Sequence, residues 1–176
     1  MSRNCVRSNL IQSQIIILGG RQSWRAASDW SQQEVIVRMT NREIGRIGLS
    51  MAINYFTIQG YTISLPLNDT QWYDMVVEKD NIFYTVQCKA TMTEDDTIHL
   101  KSCGGTKGIA YDNVINHPEL DYLFCVNKEF KCWLIPVKAI LESGNTKSIQ
   151  LRTKLAPSAH PKLDTTIYRV QISNEA

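Results

Sequence analysis

The chain has 176 residues, of which 43% are hydrophobic and 20% charged, enough apolar material for one domain with its own core. No apolar run is long enough to span a bilayer. The run Ile15-Ile16-Ile17-Leu18 is short and lacks the small-residue cleavage pattern of a secretory signal. The net charge of +2 is too small to make the protein a general nucleic-acid coat.

Charge type divides the chain at Met39. Residues 1–38 carry five Arg, no Lys and two acids, Asp29 and Glu34. Residues 39–176 carry ten Lys, four Arg and fifteen acids. The first part also shows no sustained hydrophobic period. Residues 1–38 are therefore expected to be a disordered or non-native N-terminal extension, with translation beginning at Met39. A basic arm on a phosphate backbone is the other reading of the same residues. Five cysteines with no C-x-x-C pair argue against a zinc ribbon and fit a reducing cytoplasm.

From Met39 the pattern is regular. Asn41 can cap a helix over residues 42–59, with Gly60 as its stop. A strand over 61–65 ends at Pro66. Strands over 73–77 and 82–91 flank the charged turn Glu78-Lys79-Asp80-Asn81 and predict a hairpin. A short strand is expected over 97–102, then a glycine loop carrying Lys107. A second hairpin spans 122–126 and 130–135, followed by a helix over 137–142 and late strands over 148–152 and 166–172. Helices mixed with hairpins predict an α/β or α+β sandwich around a central mixed sheet.

The first hairpin carries the chemistry. Side chains alternate across a strand, so Phe83, Thr85, Gln87 and Lys89 share one face. Tyr84, Val86, Cys88 and Ala90 form an apolar opposite face. With the turn near residue 80, Asp74 falls close to Gln87 and Lys89. A carboxylate and an amide oxygen are hard ligands suited to Mg²⁺, which is held by few protein groups plus a phosphate. A neighbouring lysine can orient a water or stabilise charge on phosphorus. These residues fit phosphodiester hydrolysis.

The stretch Gly45 to Thr91, with its Gly-x-x-Gly helix, "QGYTISLPL", "YD" and "VQCK", resembles the PD-(D/E)xK nuclease superfamily in a variant with Gln in the third position. More narrowly, it is similar to the group I intron-associated homing endonucleases of that superfamily. The later "DYLFCVN" and "FKCWLIPVKAI" extend the resemblance to most of residues 39–140. It implies a restriction-endonuclease-like core with a central mixed sheet flanked by helices. It further implies a Mg²⁺-dependent endonuclease acting on double-stranded DNA. Asp74 and Gln87 would hold the metal and Lys89 would be the active-site lysine. Cutting both strands would call for a dimer or tetramer.

One position departs from the pattern. Many relatives carry Glu just after the Gly-x-x-Gly turn, where this chain has Leu49 and Ser50. Glu43 is the only acid on the helix, and it reads either as a replacement ligand or as a helix-terminus charge. A Holliday-junction resolvase, a repair-type nuclease, or a DNA-binding protein that has lost catalysis are the alternatives. Asp121 reads as a strand-end cap or a contributor to the site. Trp72 reads as a base-stacking ring or as packing beneath a loop. His99, His117 and His160 have no ligand spacing.

Overall fold

The computed structural model describes residues 39–68, 71–102, 112–113, 116–117, 119–145, 147–155 and 161–172. They belong to a compact unit over Met39–Ala176. The expected extension over residues 1–38 and the Lys107 loop lie outside the described residues.

Helix α1 spans Asn41–Ile58. Its N-cap is Thr40 rather than Asn41, because Glu43 stands three residues on and closes a capping box with Thr40. Gly48, Ala52 and Phe56 recur every fourth residue and form the buried face. Gly60, at φ 77°, turns the chain out of the helix in a conformation that favours glycine.

Strands β1 (Thr62–Ser64), β2 (Met75–Lys79) and β3 (Ile82–Ala90) follow as an antiparallel meander. Asp80 and Asn81, at φ 57° and 63°, make the two-residue turn between β2 and β3. A turn with both central residues left-handed matches the twist of a hairpin and fixes its register. Lys79 then pairs with Ile82, and the pairing runs back to Met75 opposite Val86.

Strand β3 also pairs in parallel with β7 (Tyr122–Val126), which pairs with β8 (Cys132–Pro136) and then β10 (Arg169–Val170). The sheet is therefore mixed, in the order β1-β2-β3-β7-β8-β10. Two small ribbons stand apart from it. One joins β4 (Thr97–His99) to β9 (Ser148–Gln150), and the other joins β5 (Lys101–Ser102) to β6 (Asp112–Asn113).

Each face of the sheet has its own core. Met75, Val77, Val86, Cys88 and Phe124 pack on Ala52 and Phe56 of α1. Leu123, Cys125, Trp133 and Ile135 pack under Ile98 and Ile149 of the β4–β9 ribbon. Helix α2 (Val137–Glu142) adds Val137 and Ile140 to this second core. The expected α+β architecture with a central mixed sheet is thus observed.

Two expected strands differ. Residues 97–102 divide at Leu100 into β4 and β5; the buried Leu100 side chain joins the second core, and its N–H bonds the Lys147 carbonyl next to β9. Residues 166–172 open instead as a 3₁₀ turn, Thr165–Tyr168, capped by Asp164, with only Arg169–Val170 as strand. Buried Thr165 causes this: its hydroxyl accepts the Arg152 N–H and donates to the Gln150 carbonyl, both at 2.9 Å.

Candidate active site

The hairpin register extends one step past Met75 and sets Asp74 against Gln87. The Asp74 N–H donates to the Val86 carbonyl at 2.9 Å. One carboxylate oxygen, Oδ2, accepts two hydrogen bonds of 2.7 Å, from Gln87 Nε2 and from the Cys88 N–H. The group is half-buried. The sequence-based expectation that Asp74 meets Gln87 is met atom to atom.

Lys89 lies one pleat further along the same face, half-buried like Asp74. Its ammonium donates to the Lys101 carbonyl at 3.2 Å, so the β4–β5 segment reaches over this end of β3. Lys89 is also paired in register with Cys125 of β7. Burial pushes the Cys125 thiol up to about 12, against the opposing pull of the Lys89 charge. The Cys88 thiol is likewise pushed well up, by burial first and then by the Asp74 carboxylate beside it.

Helix α1 approaches the same strand through Gly48. A Cβ there would stand 3.4 Å from the Ala90 Cβ and 3.5 Å from the Lys89 carbonyl carbon. The small residue lets the helix lie directly on the strand that carries Gln87 and Lys89. Glu43 stands elsewhere on α1. Its Oε2 accepts the Thr40 N–H at 2.7 Å and the Thr40 hydroxyl at 2.8 Å. Those contacts hold its carboxyl below its ordinary value of 4.5, the backbone N–H contributing most. The structure therefore gathers Asp74, Gln87 and Lys89 and shows Glu43 engaged as a helix cap.

Asp121 adjoins this face through Thr85. Its Oδ2 accepts the Thr85 N–H at 2.8 Å and the Thr85 hydroxyl at 3.1 Å, tying the start of β7 to β3. This is strand-end capping. Three further contacts were not readable from sequence: the Cys88 N–H on Asp74, the Lys101 carbonyl on Lys89, and a stack between Trp72 and His117. The first two involve backbone atoms, which carry no sequence signal. The third joins residues far apart in the chain.

The donor set suits a hard divalent cation. Asp74 gives a carboxylate and Gln87 an amide, and Mg²⁺ needs only one or two protein carboxylates where a phosphate completes its shell. Gln87 turns its NH₂ toward Asp74, so its oxygen enters the set once the amide is turned over. Among the described residues there is no group of three or more His, Cys, Asp or Glu that would hold a metal unaided.

A mixed sheet with an acid at the entry to β2 and an amide and a lysine on one face of the adjacent β3 fits a nuclease core. The profile of the PD-(D/E)XK endonuclease family matches residues 39–172, and the chain belongs to that family. Its fold is similar to that of a bacterial homing endonuclease, I-Ssp6803I. The two share 20% identity with a TM-score of 0.54, over 74% of this chain and 87% of the other. No curated protein matches the chain.

Proposed function

We propose that the protein is a Mg²⁺-dependent endonuclease that hydrolyses double-stranded DNA, of the homing type associated with group I introns. The observation that carries the reading is the 2.7 Å pairing of Asp74 with Gln87 on the face of β3 that also bears Lys89. Asp74 and Gln87 would hold the cation. When bound, such an ion lowers the pKa of a coordinated water and neutralises charge developing on the phosphate.

The chain's own residues do the rest. The Cys88 N–H fixes the Asp74 carboxylate in place before substrate arrives. The Lys101 carbonyl holds the Lys89 ammonium, which orients the attacking water or meets the negative charge on the phosphoryl oxygens. Water adds to phosphorus and the P–O ester bond breaks. The departing sugar oxygen leaves as a hydroxyl after taking up a proton from solvent, while the water's own proton is lost to solvent. Cutting both strands takes two such sites, so the active form is a homo-oligomer. The homing type is supported by fold likeness to a bacterial homing endonuclease, and the intron association by the sequence resemblance over residues 45–91.

The test is incubation of a random-insert plasmid library with the protein in Mg²⁺, repeated in Ca²⁺. Discrete cleavage in Mg²⁺, with binding but no cleavage in Ca²⁺, is expected. Binding without cleavage in every divalent ion would replace the reading by a DNA-binding protein that has lost catalysis. Cleavage confined to four-way junctions would replace it by a resolvase.

A further inference from the structure

We infer that Trp72 is a nucleobase-contacting residue, its indole mounted on His117 so that the opposite ring face can stack on a base at the cleavage step. The inference rests on the nuclease reading above. Trp72 and His117 lie with ring centroids 3.7 Å apart and planes at 18°. One indole face is thus taken by protein, yet Trp72 remains 40% exposed. Packing beneath a loop would have buried the ring. What the structure holds instead is a ring stacked on His117 and still 40% exposed.

The mount is tied to the site from two directions. His117 is nearly buried, with its side chain 12% exposed, and its Nδ1 lies 3.2 Å from Glu119 Oε1. The Glu119 carbonyl accepts the Thr85 hydroxyl, and Thr85 shares its strand face with Gln87 and Lys89. On the other side, Trp72 stands two residues before Asp74, and the intervening Tyr73 packs against the second core. Strand β3 and the entry to β2 therefore both hold the ring, the two segments that carry Lys89 and Asp74.

A ring held this way loses little rotamer freedom on binding. Every base has a π-face, so stacking of this kind tolerates sequence and favours bases that are unpaired or unstacked. Aromatic and apolar side chains that insert at a base step also kink the duplex there. The ligand class is therefore a nucleobase exposed beside the scissile phosphate.

The experiment uses the full chain at low ionic strength in Ca²⁺, with two labelled probes. One is a mixed-sequence duplex and the other is the same duplex with a short unpaired tract. Wild type is expected to prefer the unpaired tract and to show quenched tryptophan emission on it. Trp72→Ala should lose that preference and bind the tract on the order of tenfold more weakly. Trp72→Phe should keep the preference and lose most of the quench, and it serves where the alanine variant fails to fold. Equal binding by Trp72→Ala and wild type, or an undiminished quench in Trp72→Phe, would overturn the inference alone. Failure of wild type to bind either probe would overturn the nuclease reading and the inference with it.

Discussion

Asp74 and Gln87 face each other across the β2–β3 pairing at 2.7 Å, and the same aspartate oxygen takes the Cys88 N–H. An asparagine at position 74 would keep an oxygen that accepts both donors. Asp74→Asn therefore removes charge while preserving the local fold. It is expected to cut cleavage by roughly 10²–10³-fold, as is Lys89→Met. DNA affinity without divalent ions should hold or improve in Asp74→Asn, since a carboxylate repels phosphate. Cleavage and binding are compared at equal folded concentration. Robust cleavage by Asp74→Asn would sink the assignment of chemistry to this hairpin.

Glu43 gives a separate test, because its hydrogen bonds go to Thr40. Glu43→Gln retains an oxygen for the Thr40 N–H and should leave cleavage within a few-fold of wild type. Thr40→Ala removes the cap itself and should cost about 1 kcal/mol of stability. The carboxyl of Glu43 is held below 4.5 in the folded protein. Its contribution is thus present above 4.5 and is lost as pH falls through the lower folded value. Glu43→Gln should accordingly flatten the acid limb of a stability profile. Lost cleavage with intact DNA binding would return Glu43 to the ligand set.

The parts of the fold legible in the sequence are those set by local rules. A charged turn between alternating strands fixes which residues oppose one another, and this placed Asp74 against Gln87. The Thr-x-x-Glu spacing at Thr40 is likewise a local signature, and it marks the cap one residue before Asn41. What could not be read depends on tertiary partners. The 3₁₀ turn at Thr165 exists because a buried hydroxyl serves Gln150 and Arg152. The stack of Trp72 on His117 needs the β3–β7 crossover to bring two distant loops together. Gln87 offered as a ligand was legible as a residue type, whereas the direction of its amide was not.

The buried thiols make a prediction about reactivity. Burial pushes Cys132 up to about 11 and Cys125 to about 12, and Cys88 also lies well above its ordinary value of 9.0. The thiolate is the reactive form. Native protein should therefore resist alkylation at all three positions near neutral pH, read out by mass mapping. The sign for stability follows from the same shifts. The unfolded chain ionises these thiols near 9, so stability is intact below that pH and falls as pH climbs from 9 toward about 12. Rapid labelling of Cys125 in the folded protein would show that the β3–β7 junction opens readily.

The β7–β8 turn carries a backbone feature with a measurable sign. Phe130 sits at φ 58°, with its N–H on the Asn127 carbonyl at 2.9 Å. Asn127, almost fully buried, accepts the Glu129 and Lys131 N–H groups on its side chain and closes the turn. The position is the left-handed one that hairpins of this type reserve for glycine. A residue with a Cβ is strained there by about 1–2 kcal/mol. Phe130 also lines a shallow groove with Met51, Cys132 and Ile172, so removing its ring alone would confuse two effects. Comparing Phe130→Gly with Phe130→Ala separates them, because both lose the ring and only alanine keeps the Cβ. At an ordinary position alanine is the more stable by about 0.5–1 kcal/mol. Here the order should invert, with Phe130→Gly the more stable by roughly 1 kcal/mol. Urea midpoints at equal m-value measure it. Alanine equal to or above glycine would mean that this turn carries no left-handed strain.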